Sequence, residues 1–214
     1  IVKHSGFTTH DLHRDHGGDT ASAADVAQMA LWLGIHHGHS ECLDDVQRLV
    51  LSRLLPSQIT ETPPLKPKQA DRTPSTMVLP DKHFAFVDYP EDVEQLIIGA
   101  LGGIYGRAHG GKLCVTDVTS TVLSVLVDVY QHIVVENDQE VRINFHLDYE
   151  SDLLRLNCVR KDKAYLSIDA KSNKRLLVRV PGWAPEDSVQ LSVDGQTVPL
   201  VWEGKYLRVP KQSS

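Results

Sequence analysis

Residues 175–198, RLLVRVPGWAPEDSVQLSVDGQTV, decide the fold class of this chain. Arg175 to Val180 alternates with the period of a strand and breaks at Pro181-Gly182-Trp183. A second strand follows and turns at Asp194-Gly195, a pair suited to the positive φ angles of a two-residue hairpin. Working outward, VRINFHL, DLLRLNCV, AYLSID, RLLVRV, VQLSV, TVPLVW and KYLRV read as short strands from about Glu140 onward, with turn residues between them. Seven strands at this spacing predict an antiparallel β-sandwich, jelly-roll-like in character.

Upstream the period is helical. A first helix is expected from Asp19 or Thr20 to Gly34, with Ala23, Val26, Ala27, Ala30 and Leu33 at helical spacing. Asp19 is suited to accept from the free backbone N–H groups at its start. A second helix is expected over Leu43–Leu55. Asp44 and Asp45 suit its positive end, Arg53 its last turn, and Pro56 stops it. Residues 60–90 are proline-rich and aperiodic, which reads as a long surface excursion. A third helix is expected after Pro90, with Val93, Leu96, Ile97, Ala100, Leu101 and Ile104 as an apolar face loosened by Gly102, Gly103 and Gly106. A fourth is expected from Asp117 to Val134. The turn Glu136-Asn137-Asp138 then marks a boundary between a helical part, 1–135, and a sandwich part, 136–214. The reading is α+β. The wide apolar helix faces look like part of a larger helical array, and left bare they favour aggregation.

With 214 residues, the chain is long enough for one sizeable core or two small ones. A net charge of −6 offers no basic footprint for nucleic acid. No apolar run is long enough to cross a bilayer. Cys42, Cys114 and Cys158 are too few and too scattered for a disulfide framework, and none forms a CxxC pair. Cys42 and Cys158 read as structural. Eleven histidines make the charge sensitive to mild acid. The chain starts at Ile1 and ends soon after a strand, which reads as a piece of a longer protein with a preceding part of the same chain as partner and a sandwich cut at its end. Compartment is left open.

RVPGWA followed by a strand and VDGQTV resembles the C-terminal sandwich of glycoside hydrolase family 127, the β-L-arabinofuranosidase-like enzymes. GDTASAADVAQMALWL resembles the family's barrel helix that opens with Glu-Thr-Cys or Asp-Thr-Cys. LDDVQRLVLSRLLPSQIT resembles the next helix, and CVTDVTSTVLSVLVDVYQHIV the helix after the paired-cysteine motif. The resemblance covers nearly the whole chain. It implies the last helices of an (α/α)6 barrel before the sandwich, a carbohydrate substrate, and hydrolysis of a terminal glycosidic bond. Enzymes of the family use a cysteine thiolate beside a zinc held by a glutamate and cysteines, with a separate glutamate as acid/base. Asp19 falls at the glutamate ligand and Ala21 at the first cysteine ligand. Cys114 falls at the second cysteine of the pair with Leu113 at the nucleophile, or, shifted by one residue, at the nucleophile itself. No glutamate occurs between Ile1 and Asp19. Zinc is thus implied by the family, with its cysteine ligands only partly kept.

The residues themselves leave several roles open. His10, His13 and His16, in a dense polar run ending at Asp19, read as a solvated loop, as contacts to sugar hydroxyls or proton carriers, or, spaced by three, as metal ligands. Gly17-Gly18 argues against the continuous helix the last role needs. Asp19 is a cap, a site carboxylate, or both. Cys114 precedes a helix start, where the dipole favours thiolate; otherwise it is a small buried hydrophobe. Asp117 caps the same helix or faces the same cavity. Asp19 and Asp117, if roughly 5–10 Å apart, are suited to glycosidic cleavage without a thiolate. His109 lies in a glycine loop expected to border that cavity. His36, His37 and His39 follow a helix C-terminus, where cations are favoured. Trp183 is expected between the sheets. The competing function is a carbohydrate-binding or structural homologue without hydrolysis.

Overall fold

The computed structural model describes residues 20–61, 98–104, 113–114, 116–161 and 163–210, with 103–104, 113–114 and 116–117 described by their backbone alone. Helix α1 spans Thr20–His36 and buries Ala23, Ala24, Ala27, Ala30 and Leu31. Four small buried side chains let neighbouring helices approach closely. Gly34 marks the tightest point, because a Cβ there would lie 2.4 Å from Cδ2 of Leu43. After a turn with Gly38 at φ 77°, helix α2 spans Cys42–Leu49. It continues as a π-helical turn, Val50–Leu54, and a 3-10 turn, Leu55–Ser57, that carries Pro56. Leu43, Val46, Leu49, Val50 and Leu54 form its buried stripe.

The expected third helix is not formed where it is described. Ile98 and Gly99 lie in a turn, Leu101 bridges Gln58, and Gly103–Ile104 is strand β1, antiparallel to β2, Leu113–Cys114. Gly99 and Gly102 have φ angles of 91° and 144°, conformations that end a helix. Residues 62–97, including Val93, Leu96 and Ile97 of that expectation, lie outside the described residues. Thr119 ties this segment down: its Oγ1 accepts from the Leu101 N–H at 3.1 Å and donates to the Leu101 carbonyl at 2.7 Å. Thr119 belongs to helix α3, Thr116–Gln131, which buries Val118, Val122, Val125 and Val129.

Helix α3 ends before the expected Val134. Val134–Glu136 is strand β3, paired antiparallel with β4, Glu140–Ile143. The side-chain oxygen of Asn137 accepts from the Gln139 and Glu140 amides at 2.9 Å and closes the turn between them. The chain continues through β5 (Tyr149–Glu150), β6 (Leu154–Arg160), β7 (Ala164–Ala170), β8 (Arg175–Arg179), β9 (Leu191–Val193), β10 (Gln196–Val198), β11 (Trp202–Glu203) and β12 (Tyr206–Val209). VRINFHL is therefore a strand only to Ile143, and TVPLVW splits around Pro199. The hairpin at Asp194-Gly195 forms as expected, with φ angles of 52° and 79° and Val193 opposite Gln196.

Strands β11-β12-β8-β4-β3 make one sheet, β5-β6-β7 a second, and β9-β10 a separate ribbon. The large sheet is mixed, not purely antiparallel. β4 and β8 run parallel with Val141 opposite Leu176, because the β5–β7 meander between them returns the chain in the same direction. Val141 and Leu176 on one sheet lie across from Leu154 and Ala170 of the other, giving a two-layer sandwich. The molecule is α+β. Its buried apolar residues form one cluster that runs from α1, α2 and α3 into Val141, Ile143 and Phe145, and on to Leu154 and Leu156. Met29, Trp32 and Leu33 of α1 and Leu123 and Val127 of α3 remain exposed.

Candidate functional site

His10, His13, His16, Asp19 and His109 lie outside the described residues, and Cys114 and Asp117 are described by backbone only. What the structure supplies is the frame around them. Cys114 closes β2 opposite Gly103, two residues before α3 begins at Thr116. Asp117 falls in the first turn of α3. α1 begins at Thr20, the residue after Asp19.

α1 and α3 pack side by side and run in the same direction. The Gln28 side-chain amide donates to Oδ2 of Asp128 at 2.7 Å. At the far end of the pair, the rings of His36 and of His132, the residue that follows α3, meet edge to face at 6.1 Å. At roughly 1.5 Å per residue, each helix runs back about 24 Å from that contact to its first residue. Thr20 and Thr116 therefore lie at the same end of the helix pair. Two positive helix ends pointing one way favour anions, carboxylates and thiolates beside them.

Of the positions that the resemblance gives to a metal site, only Ala21 is described with its side chain. Ala21 carries no donor atom, and it packs against the apolar cluster. Among the described residues, no group of three or more His, Cys, Asp or Glu side chains converges as metal ligands. Cys42 and Cys158 are half-buried, and burial pushes both thiols up from their ordinary pKa, away from thiolate. This agrees with a structural reading of both.

The densest described polar cluster was not foreseen. It lies at the seam between α2 and the large sheet and is centred on Arg179, whose side chain is 1% exposed. Its Nε donates to the Asn144 carbonyl at 2.6 Å, its Nη2 to Oε1 of Gln47 at 2.8 Å, and its Nη1 to Oδ1 of Asp44. The other Asp44 oxygen accepts from the Gly182 amide at 2.8 Å. Burial lowers the guanidinium pKa, and the Asp44 carboxylate opposes that fall. His146 Nε2 lies 2.7 Å from the Arg179 carbonyl. A carbonyl only accepts, so Nε2 carries the proton. Burial lowers the His146 pKa, and the nearby Arg179 and Arg160 add to the effect. Tyr206 donates to Oδ1 of Asn144 at 2.6 Å, and its phenol pKa is raised chiefly by burial. All three guanidinium nitrogens are engaged, so the cluster is a clamp and not a reactive centre.

Arg179, Pro181 and Gly182 belong to the very motif RVPGW that carries the resemblance. Its structural use is to dock the sheet on α2. The signal in the sequence was an arginine at an alternating, inward position of a strand immediately before Pro-Gly. Trp183 corrects an expectation, being 53% exposed and not held between the sheets. The tight turn Pro181–Ala184, closed by the Ala184 amide on the Pro181 carbonyl at 3.0 Å, carries the ring outward.

No protein-family model matches the chain, and no curated protein matches it. Among solved structures, the chain is similar to a GH127 beta-L-arabinofuranosidase from Geobacillus stearothermophilus T6, at 11% sequence identity and a TM-score of 0.45. That likeness covers 90% of this chain and 29% of the other, so the chain spans under a third of the length of the structure it matches.

Proposed function

We propose that the chain is part of a glycosidase-like protein that hydrolyses a terminal glycosidic bond, with an arabinofuranoside or related sugar as substrate. The observation that supports it is the shared direction of α1 and α3, whose first residues lie at one end of the pair. Asp19 immediately precedes the first of those starts, while Cys114 and Asp117 flank the second. In this reading Asp19 and Asp117 are the paired carboxylates of glycosidic cleavage, one protonating the leaving oxygen and the other activating water or attacking the sugar. Cys114 is the alternative nucleophile, its thiolate favoured by the start of α3. His10, His13, His16 and His109 hydrogen-bond the sugar hydroxyls.

Nitrophenyl glycosides assayed with the full-length protein test this. Asp117→Asn is expected to lower kcat by about 10²–10⁴-fold, the usual worth of a positioned acid or base. Undiminished hydrolysis in Asp19→Asn, Cys114→Ser and Asp117→Asn alike would end the proposal. A second reading, a homologue that binds carbohydrate without cleaving it, is favoured by Ala21 standing where the family supplies a metal ligand. That reading expects sugar binding, no turnover, and no stoichiometric zinc in the purified protein.

A further inference from the structure

We infer that the outer edge of β7 is a docking site for an extended polypeptide strand, acidic at both ends and alternating apolar and polar between them. The inference stands apart from the carbohydrate reading. β7 ends the β5-β6-β7 sheet, and among the described residues no strand pairs with its other edge. An open sheet edge accepts a further strand unless shortness, a proline or a bulge blunts it. The other edges of the two sheets are short: three residues in β3 and two each in β5 and β11. β7 has seven, Ala164–Ala170, without proline. Its register with β6 is unbroken from Leu154 opposite Ala170 to Arg160 opposite Ala164, so no bulge turns it aside.

Two hydrogen bonds just beyond the strand ends identify the groups left over. The Lys171 amide donates to the Leu153 carbonyl at 2.8 Å, and the Lys161 amide to the Lys163 carbonyl at 3.3 Å. Bonded and non-bonded pairs alternate along an antiparallel ladder. Tyr165, Ser167 and Asp169 therefore bond β6, while the N–H and C=O groups of Ala164, Leu166, Ile168 and Ala170 point away from it. An incoming strand finds a donor and an acceptor at each of those residues. The Leu166 and Ile168 side chains pack on the apolar cluster but stay partly exposed. Apolar residues of the docked strand would cover that flank. Its alternate residues would join the solvent face, where Tyr165, Ser167 and Asp169 are exposed.

The charges select the partner. Lys161 and Lys163 stand at one end of β7 and Lys171 at the other, all exposed. The strand's one acid, Asp169, stands opposite Arg155 of β6. A second copy, paired antiparallel so that all the outward groups are used, would set Ala164 opposite Ala170 and Lys163 opposite Lys171. That like-charge contact opposes self-pairing. An acidic residue at each end of the incoming strand makes both contacts favourable, in either strand direction.

The probe is the peptide Glu-Thr-Val-Thr-Val-Thr-Val-Thr-Glu, titrated into the full chain and followed by amide hydrogen exchange. Without it, the Leu166 and Ile168 amides should exchange fast and those of Ser167 and Asp169 slowly. With it, Leu166 and Ile168 should become protected. A probe with lysine for both glutamates should bind about tenfold more weakly, as two exposed ion pairs turn repulsive. A fully N-methylated probe, which lacks the donors, should not bind. Lys163→Glu, at an exposed position, should weaken the acidic probe and strengthen the lysine one, with an unchanged thermal midpoint. No protection by the acidic probe, or equal binding of the acidic and lysine probes, would overturn the inference. So would Leu166 and Ile168 amides already protected in the free chain at every concentration, which means an edge covered from within. Protection that grows with protein concentration alone would assign the edge to a second copy and overturn it too.

Discussion

Arg179 is buried beside a carboxylate that read, in the sequence, as a partner for a helix end. Asp44 does sit in the first turn of α2, but its oxygens go to Arg179 and to the Gly182 amide. Removing it leaves a buried guanidinium uncompensated, which typically costs about 3–5 kcal/mol. Asp44→Ala should show a loss of that order in urea unfolding. Gly182→Ala should give a smaller loss through the same contact, since its Cβ would lie 2.8 Å from Oδ2 of Asp44. His146 adds a pH dependence. Its folded pKa is lowered by burial, whereas the unfolded imidazole takes up a proton near pH ~6.5. The unfolded chain therefore binds more protons below that pH, and stability falls as pH drops from about 6.5 toward the folded pKa. His146→Gln, which retains a donor for the Arg179 carbonyl, should flatten this fall in thermal midpoints measured across that range.

Among the elements, those whose cause is local were legible. The Asp194-Gly195 turn formed because both residues tolerate the positive φ that the hairpin needs. Gly195→Ala should cost about 1–2 kcal/mol, the price of the left-handed conformation for an L side chain, without disturbing the large sheet. Guanidinium unfolding, read with amide exchange of the β9–β10 ribbon, would check both parts. Elements that depend on a distant partner were misread. Ala100, Leu101 and Ile104 have helical spacing, yet Leu101 is held by Gln58 and Thr119, and Ile104 pairs with Leu113. Val134 and Val135 extend the α3 pattern as well as they begin a strand. β4 decides between them, because β preference reflects packing against a partner more than the backbone itself.

The whole molecule is joined at a seam that composition does not reveal. One apolar cluster links the three helices to β4 and β6, and Phe145, fully buried, lies in it with the Arg179 guanidinium 5.8 Å from its ring centre. Phe145→Ala should destabilise the protein by about 3–5 kcal/mol. Helical circular dichroism and sheet amide signals should be lost together in one transition. Two separate transitions would instead mark a division of stability near residue 136. The sequence by itself determined the α+β class, the order of helices before the sandwich strands, the first two helices and the Asp-Gly hairpin. Those follow from periodicity, capping and turn chemistry, which act within a few residues. Only the tertiary structure decided the parallel β4–β8 pair, the Arg179 clamp, the exposure of Trp183 and the Tyr130–Tyr149 ring contact. Each joins residues far apart in the chain, and such pairings leave no local periodicity to read.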